Sequence, residues 1–187
     1  PGNCIEYSEG EISDSSWYHP KPANSSQDLK ALLEESVARR LISDVPVGTF
    51  LSGGLDSSLI SALAAKVHPG ITAFSIGFEN DYIDESKWAK LMASKINVNH
   101  QLLVISEKDM LRDFDAYLDD LDEPFGDSSS LAVWSLARMA SREVKVCLSG
   151  DGADELFGGY NRHQAFWHWN SKGIKSQAAN FIGKRIG

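Results

Sequence analysis

The sequence predicts an α/β fold, an open parallel sheet flanked by helices. Three observations carry that expectation. Short apolar runs alternate along the chain with segments whose apolar residues recur at helical spacing, the order that builds parallel strands joined by crossover helices. Two of the apolar runs end in Ser-Gly turns, Ser52-Gly53-Gly54 and Ser149-Gly150-Asp151, with acidic residues Asp56, Asp151, Asp154 and Glu155 in or just after them. Sheets of this kind bind ligands beyond the carboxyl ends of their strands, so both turns fall where a site belongs. The size fits as well: 187 residues, 42% hydrophobic and 24% charged, match one globular domain with a core of its own.

The elements follow in order. Residues 1–24 read as a linker or end piece, because Pro1, Gly2, Pro20, Pro22 and several serines break any long period. Within them, Ile5–Tyr7 and Ile12–Trp17 are expected to form a short hairpin around Glu9-Gly10. Residues 25–187 form the domain proper. Ser25 or Ser26 caps a helix in which Leu29, Leu32, Leu33, Val37 and Leu41 share a face. A strand from Val45 to Leu51 follows, with Pro46 tolerated near its start. Next come a helix from Ser57 to Val67, a strand from Ile71 to Ile76 and a helix from Asp84 to Ile96 capped by Asp84. A strand from His100 to Ile105 precedes helices from Ser106 to Leu118 and from Ser128 to Ser141. A last strand runs from Val144 to Leu148, and the tail after Gly159 is expected to be helical, with Trp167 and Trp169 inside it.

Composition excludes several function classes. The formal charge is −8, so the chain lacks the basic field that nucleic-acid binders use against phosphates. Cys4 and Cys147 form no CxxC pair and no Cys/His cluster, which argues against a zinc site and a disulfide framework. A reducing, cytoplasmic setting is expected. No apolar stretch is long enough to span a membrane, and no secretory signal is visible.

The segment Leu51-Ser52-Gly53-Gly54-Leu55-Asp56-Ser57-Ser58 carries the most chemical information. It falls where a strand ends and a helix begins. Adjacent glycines let the backbone approach a ligand and turn N–H groups toward it, and the helix start adds partial positive charge. Ser52, Ser57 and Ser58 offer hydroxyls to phosphate oxygens. Asp56 would repel phosphates unless a magnesium ion lay between them. A Walker A loop needs a lysine before its Ser/Thr, and none stands here.

The string SGGLDSS resembles the PP-loop of the ATP pyrophosphatases, enzymes that split ATP between its α- and β-phosphates. The second segment, Ser149-Gly150-Asp151-Gly152-Ala153-Asp154-Glu155-Leu156-Phe157-Gly158-Gly159-Tyr160, repeats the design of the first. It resembles the SGxGxDExFGGY signature of the glutamine-hydrolysing asparagine synthetase family, C-terminal synthetase domain. The resemblance implies an adenine nucleotide alpha hydrolase-like fold, with residues 1–24 as the end of a preceding glutaminase domain and 25–187 as part of the synthetase domain. It also implies roles. Leu51 and Ile76 contact the base or ribose. Ser52, Gly53, Gly54, Ser57 and Ser58 bind phosphate, and Ser149 and Gly150 contact the nucleotide. Asp56 and Asp154 hold magnesium. Asp127 and Ser128, in a stretch that resembles the family's DEPFxDSS loop, lie near substrate and nucleotide.

Asp151 is the catalytic candidate, a base for the attacking ammonia. It stands where family members often carry Glu, and being one methylene shorter it reaches less far. Tyr occupies this place in β-lactam synthetase, so Asp151 argues against that branch. The family's glutaminase nucleophile is an N-terminal Cys, and Cys4 behind Pro-Gly-Asn cannot take that part. The family also has a catalytic lysine well beyond the second motif. Only 33 residues follow Asp154 in this 187-residue chain, so Lys172, Lys175 and Lys184 are too close and no lysine is assigned.

The implied reaction adenylates a carboxylate, with the aspartate side chain as first choice, and releases pyrophosphate. Glutamine-derived ammonia then gives the amide. ATP and magnesium are the expected cofactors, small molecules the expected partners, and a homodimer is left open. Two alternatives stand beside this reading: another PP-loop ligase, and a nucleotide-binding fragment without turnover. Trp88 and Met92 read as core residues four apart on one helix. The acidic run from Asp113 to Asp122 reads as a solvated face, and Arg162 as a residue near the mouth of the site.

Overall fold

The computed structural model describes residues 2–19, 28–80, 82 and 84–170. The expected cap at Ser25 or Ser26 lies outside the described residues, as do Lys172, Lys175 and Lys184. Two compact units divide the chain, Pro1–Leu33 and Glu34–Gly187.

The first unit contains the expected hairpin. Strand β1 (Asn3–Ser8) pairs antiparallel with β2 (Glu11–Ser16), from Asn3 opposite Ser16 to Ser8 opposite Glu11. Glu9 and Gly10 close it at φ 53° and 90°. Positive φ at both central residues is the turn that matches the natural twist of paired strands.

Helix α1 (Leu29–Arg40) precedes the sheet of the second unit, and its Val37 is buried. The sheet region then runs β3 (Val47–Phe50), α2 (Leu55–Val67), β4 (Thr72–Phe78), α3 (Ser86–Ile96), β5 (Asn99–Ile105), α4 (Glu107–Asp119), α5 (Ser130–Ala140), β6 (Val146–Leu148), α6 (Ala153–Phe157) and α7 (Asn161–Asn170). The four strands are ordered β5-β4-β3-β6 and every neighbouring pair is parallel. From β3 the chain steps outward to β4 and β5, then returns to set β6 on the other side of β3. Strand order therefore reverses between β3 and β6, the place where such sheets open a binding crevice.

Side-chain alternation along the strands builds two cores, one on each face. On one face Leu51, Ala73, Ala89 and Ala93 cluster, with Met92 and Val98 against them. On the other, Phe74 packs with Leu136, Ala140 and Val144, joined by Phe50, Ile76, Met139 and Cys147. Phe74 is fully buried, which contributes roughly 1.5–3 kcal/mol. Burial also pushes the Cys147 thiol up to about 11, so it behaves as a small core residue.

Buried polar groups in the sheet are paired. The Ser61 hydroxyl donates to Thr49 Oγ1 at 3.0 Å. Ser75 donates to the Leu51 carbonyl, and its Oγ lies 2.8 Å from His100 Nε2. Burial, with Lys90 nearby, holds the His100 pKa below its usual value.

Several boundaries shift for local reasons. Helix α2 begins two residues before Ser57, because Gly54 adopts an extended cap conformation and the Ser58 N–H already donates to its carbonyl at 3.1 Å. Asp84 is not the cap of α3, which begins at Ser86 behind Glu85. Its carboxylate instead accepts from the N–H groups of Phe78 (3.1 Å) and Ser86 (3.2 Å) and from the Ser86 hydroxyl (2.8 Å). That tie needs Gly77, where a Cβ would sit 2.9 Å from Asp84 Oδ1. Ser106 does cap α4, in a reciprocal capping box with Asp109. Trp88, expected in the core, is 53% exposed, while Met92 one turn on packs inward. Trp167 and Trp169 lie in α7 as expected, although both are exposed.

Candidate nucleotide site

A cavity of about 540 Å³ opens where β3, β4 and β6 end. This is within the range that holds a small ligand or cofactor. The first loop enters from β3. The Leu51 N–H donates to the Phe74 carbonyl at 2.9 Å, extending the pairing one residue past the strand. The chain then turns sharply. Ser52 N–H donates to Ser57 Oγ at 3.2 Å, the two hydroxyls lie 2.9 Å apart, and Gly54 N–H donates to Ser52 Oγ at 3.2 Å. The loop is thus folded on its own hydroxyls, with the start of α2 beneath it. A helix start leaves N–H groups without intrahelical partners, a natural seat for an anion.

The second loop enters from β6. Ser149 donates to Asp151 Oδ2 at 2.8 Å, and Asp151 N–H returns a bond to Ser149 Oγ at 3.3 Å. Gly152, at φ 90°, then starts α6. The two loops touch at Gly150. A Cβ there would lie 2.8 Å from Ser57 N and 2.9 Å from Asp56 Cβ. Only a glycine lets the second loop rest on the start of α2.

Most of the residues expected at the site line this cavity: Leu51, Ser52, Gly54, Asp56, Ser57, Ile76, Ser149, Gly150, Asp151 and Asp154. Four do not. Gly53, at φ 87°, faces α3, and a Cβ there would meet Ala89 N and Trp88 C at 2.5 Å. Ser58 is turned aside by the helical rotation of α2. Asp127 accepts from the Ser129 N–H (2.8 Å) and hydroxyl (2.7 Å) at the entry to α5, and these bonds hold its carboxyl below the usual range. Ser128 beside it is exposed. Leu51 belongs to the wall, yet it is only 1% exposed and packs into the core.

Other wall residues come from segments with no motif. Phe50, Val133 and Leu136 join Ile76 as an apolar side, and Ser75, Glu85, Glu155 and Tyr160 add polar groups. The Tyr160 hydroxyl donates to Glu155 Oε1 at 2.7 Å. This bond is the main reason the Glu155 carboxyl sits below its ordinary range and the Tyr160 phenol above its own. Arg162 lies with its guanidinium carbon 4.3 Å from the Tyr160 ring centroid.

Magnesium can be tested against this donor set. Asp151 and Glu155 each accept a hydroxyl, whereas the carboxylates of Asp56 and Asp154 accept no hydrogen bond from another described residue. Both line the cavity. Among the described residues no group of three or more His, Cys, Asp or Glu could hold a metal unaided. Magnesium favours one or two carboxylates plus phosphates and water over an all-protein cage, so two cavity-lining carboxylates without hydrogen-bond donors among the described residues fit it.

The sheet order, the crevice and the two loops define a class, the PP-loop domain of the adenine nucleotide alpha hydrolase-like fold. NMN synthetase from Francisella tularensis has the same fold, with a TM-score of 0.51 over 70% of this chain and 56% of that one, at 18% identity. The family profile described as Asparagine synthase matches residues 28–185, and this chain belongs to that family. It is 36% identical over 160 residues to glutamine-hydrolyzing asparagine synthetase 1 of Bacillus subtilis strain 168, covering 82% of this chain and 25% of the relative. Asparagine synthetase 3 of the same organism, also named glutamine-hydrolyzing, is 36% identical over 149 residues, covering 71% of this chain and 24% of the relative. The chain thus spans about a quarter of the length of these relatives. Among the described residues, no helix is long and apolar enough to cross a membrane.

Proposed function

We propose that this chain binds ATP at the ends of β3, β4 and β6 and serves in ATP-dependent amide synthesis. The substrate carboxylate, the side chain of aspartate, attacks the α-phosphorus of ATP. The bond to the bridging oxygen breaks and pyrophosphate leaves. Ammonia attacks the acyl carbon of the resulting acyl-adenylate and loses a proton. AMP then leaves, with asparagine or a similar amide as product. In the whole protein the ammonia would come from glutamine, hydrolysed by a glutaminase domain that ends within residues 1–24, while residues 25–187 are part of the synthetase domain.

Each wall of the cavity has a part in this scheme. Ile76, Val133 and Leu136 offer an apolar surface to adenine. Ser52, Ser57 and the start of α2 offer hydroxyl and N–H donors to the pyrophosphate portion. Asp151 is the base that takes the ammonia proton. Its carboxylate accepts from the Ser149 hydroxyl, and the residue lines the cavity. Asp56 and Asp154 would hold magnesium, which when bound neutralises charge on the departing pyrophosphate.

The observation that carries the reading is the meeting of the two motif loops at the strand-order reversal, with Gly150 against Asp56 and Ser57. The test is calorimetric titration of the chain with ATP, in magnesium and in EDTA, repeated on Asp56→Asn. Binding should require magnesium and weaken about tenfold or more in the variant, the loss expected for one charge-assisted contact. Equal affinity in all conditions, or no ATP binding by the parent chain, refutes the site.

A further inference from the structure

The scheme above leaves unused a cation, Arg162, that lies beside a residue of the cavity wall. Asp56, Glu85, Asp151, Asp154 and Glu155 line the cavity, and no Lys, Arg or His is among the described residues that line it. A carboxylate substrate entering such a wall meets like charge. Arg162 lies over the ring of Tyr160, which itself lines the cavity. The ring is anchored through its hydroxyl to Glu155. Arg162 makes no hydrogen bond or ion pair with another described residue. Stacking holds a guanidinium by its face and leaves its N–H donors free in the plane, the geometry that grips a carboxylate with two bonds.

We propose that Arg162, held on Tyr160, is the specificity residue that reads the non-reacting carboxylate of a dicarboxylate substrate. The proposal rests on the amide-forming reading of the site. The chemistry decides which carboxylate is held. A carboxylate clamped by a guanidinium has its lone pairs engaged and is a poor nucleophile, so the group that attacks phosphorus must lie elsewhere. The second carboxylate keeps its charge through both half-reactions and needs a permanent counter-ion, which a guanidinium supplies at any working pH. Tyr160 and Glu155 act as positioning residues: Glu155 accepts from the phenol rather than from the guanidinium, and so fixes the surface on which Arg162 lies.

The experiment uses an α,β-methylene analogue of ATP, which cannot be cleaved at the adenylation bond. With this analogue and magnesium saturating, the chain is titrated with L-aspartate and with its α-amide, in which the non-reacting carboxylate is neutral. The parent should prefer aspartate by about tenfold or more, the scale of one lost charge-assisted pair. Arg162→Ala should bind both probes alike, with analogue affinity unchanged within about twofold. Arg162→Lys should recover part of the preference, because it restores the charge without the planar fork. Three results overturn the proposal: a parent that does not distinguish the probes, an Arg162→Ala variant that still does, and an Arg162→Ala variant in which only analogue affinity falls. Failure of the parent to bind the analogue overturns the underlying site reading instead, and this proposal with it.

Discussion

Substituting Gly150 with alanine tests the contact on which the two-loop site depends. The added Cβ would lie 2.8 Å from Ser57 N, 2.9 Å from Asp56 Cβ and 3.0 Å from the Asp56 carbonyl carbon. Two of these atoms are main chain at the start of α2 and cannot rotate away. The loops must therefore part by a few tenths of an ångström, and overpacking of this kind costs about 1–3 kcal/mol. Strand β6 has only three residues, so its loop yields more readily than β3, which is paired on both sides. If the strain falls on the nucleotide-bound state, ATP affinity drops roughly 5- to 150-fold. If it falls on the fold, the melting temperature drops by about 2–4 °C per kcal/mol. ATP titration and thermal melting of Gly150→Ala separate the two. Gly126→Ala is the control, since a Cβ there meets nothing within 4 Å. A Gly150→Ala chain that matches the control in both measurements would refute the claim that this contact builds the site.

Three further outcomes are expected. Asp154→Asn should weaken ATP binding in magnesium by about tenfold, and adding EDTA should cost the variant less than it costs the parent, because one ligand to the ion is already gone. Ser75→Ala strips partners from His100 Nε2 and the Leu51 carbonyl. Unsatisfied buried groups cost about 1–3 kcal/mol, so its melting temperature should fall, with ATP affinity reduced because Leu51 leads into the first loop. For Asp109, bonds from the Ser106 hydroxyl and N–H and from Arg112 lower the carboxyl to about 2 in the folded chain. A depressed acid stabilises the fold above its unfolded value, about 3.9, and loses that contribution as pH falls through about 2. Asp109→Asn should therefore melt below the parent near neutral pH, and the two curves should converge between those values; a constant gap would refute the linkage.

The alternation of strands and helices was legible because period two and period 3.6 differ within one short segment, as Thr72–Phe78 and Ser86–Ile96 demonstrate. Both motif loops were legible because their residue types are unusual together. What escaped depends on direction. The string from Ser52 to Ser58 reads as one continuous motif, yet the positive φ of Gly53 aims it at α3, and the turn of α2 carries Ser58 off the cavity. The pair Trp88 and Met92 share a period, but periodicity does not say which of them the neighbouring strand will cover. Asp127 reads as a site acid from its motif, and the sequence alone does not show that its carboxylate accepts from Ser129 two residues on. Glu85 and Val133 arrive from distant segments and become neighbours only through the fold.

An acidic cavity is an odd seat for a polyanion, and that oddity explains more than any single residue. Two unit charges 4 Å apart at an effective dielectric of 20 repel by about 4 kcal/mol, so a wall of five carboxylates should reject bare ATP. The acids are not equivalent, however. Asp151 accepts from Ser149 and Glu155 from Tyr160, so part of their charge is already stabilised by the protein. Asp56 and Asp154 lack such partners among the described residues. No Lys, Arg or His is among the described residues that line the cavity with them, so on the proposed reading a cation arriving with the ligand would relieve their repulsion. On the proposed reading the wall would work as a filter: it would admit a nucleotide in complex with a divalent ion and disfavour the free anion. The same filter would disfavour a dicarboxylate, which brings no metal with it, and on the proposal above the guanidinium on Tyr160 offers relief. Metal dependence of nucleotide binding and Arg162 dependence of carboxylate binding would then be two consequences of one acidic wall. Neutralising Glu155 as Glu155→Gln separates them. It should leave the magnesium requirement for ATP in place while loosening Tyr160 and eroding the preference for aspartate over its α-amide.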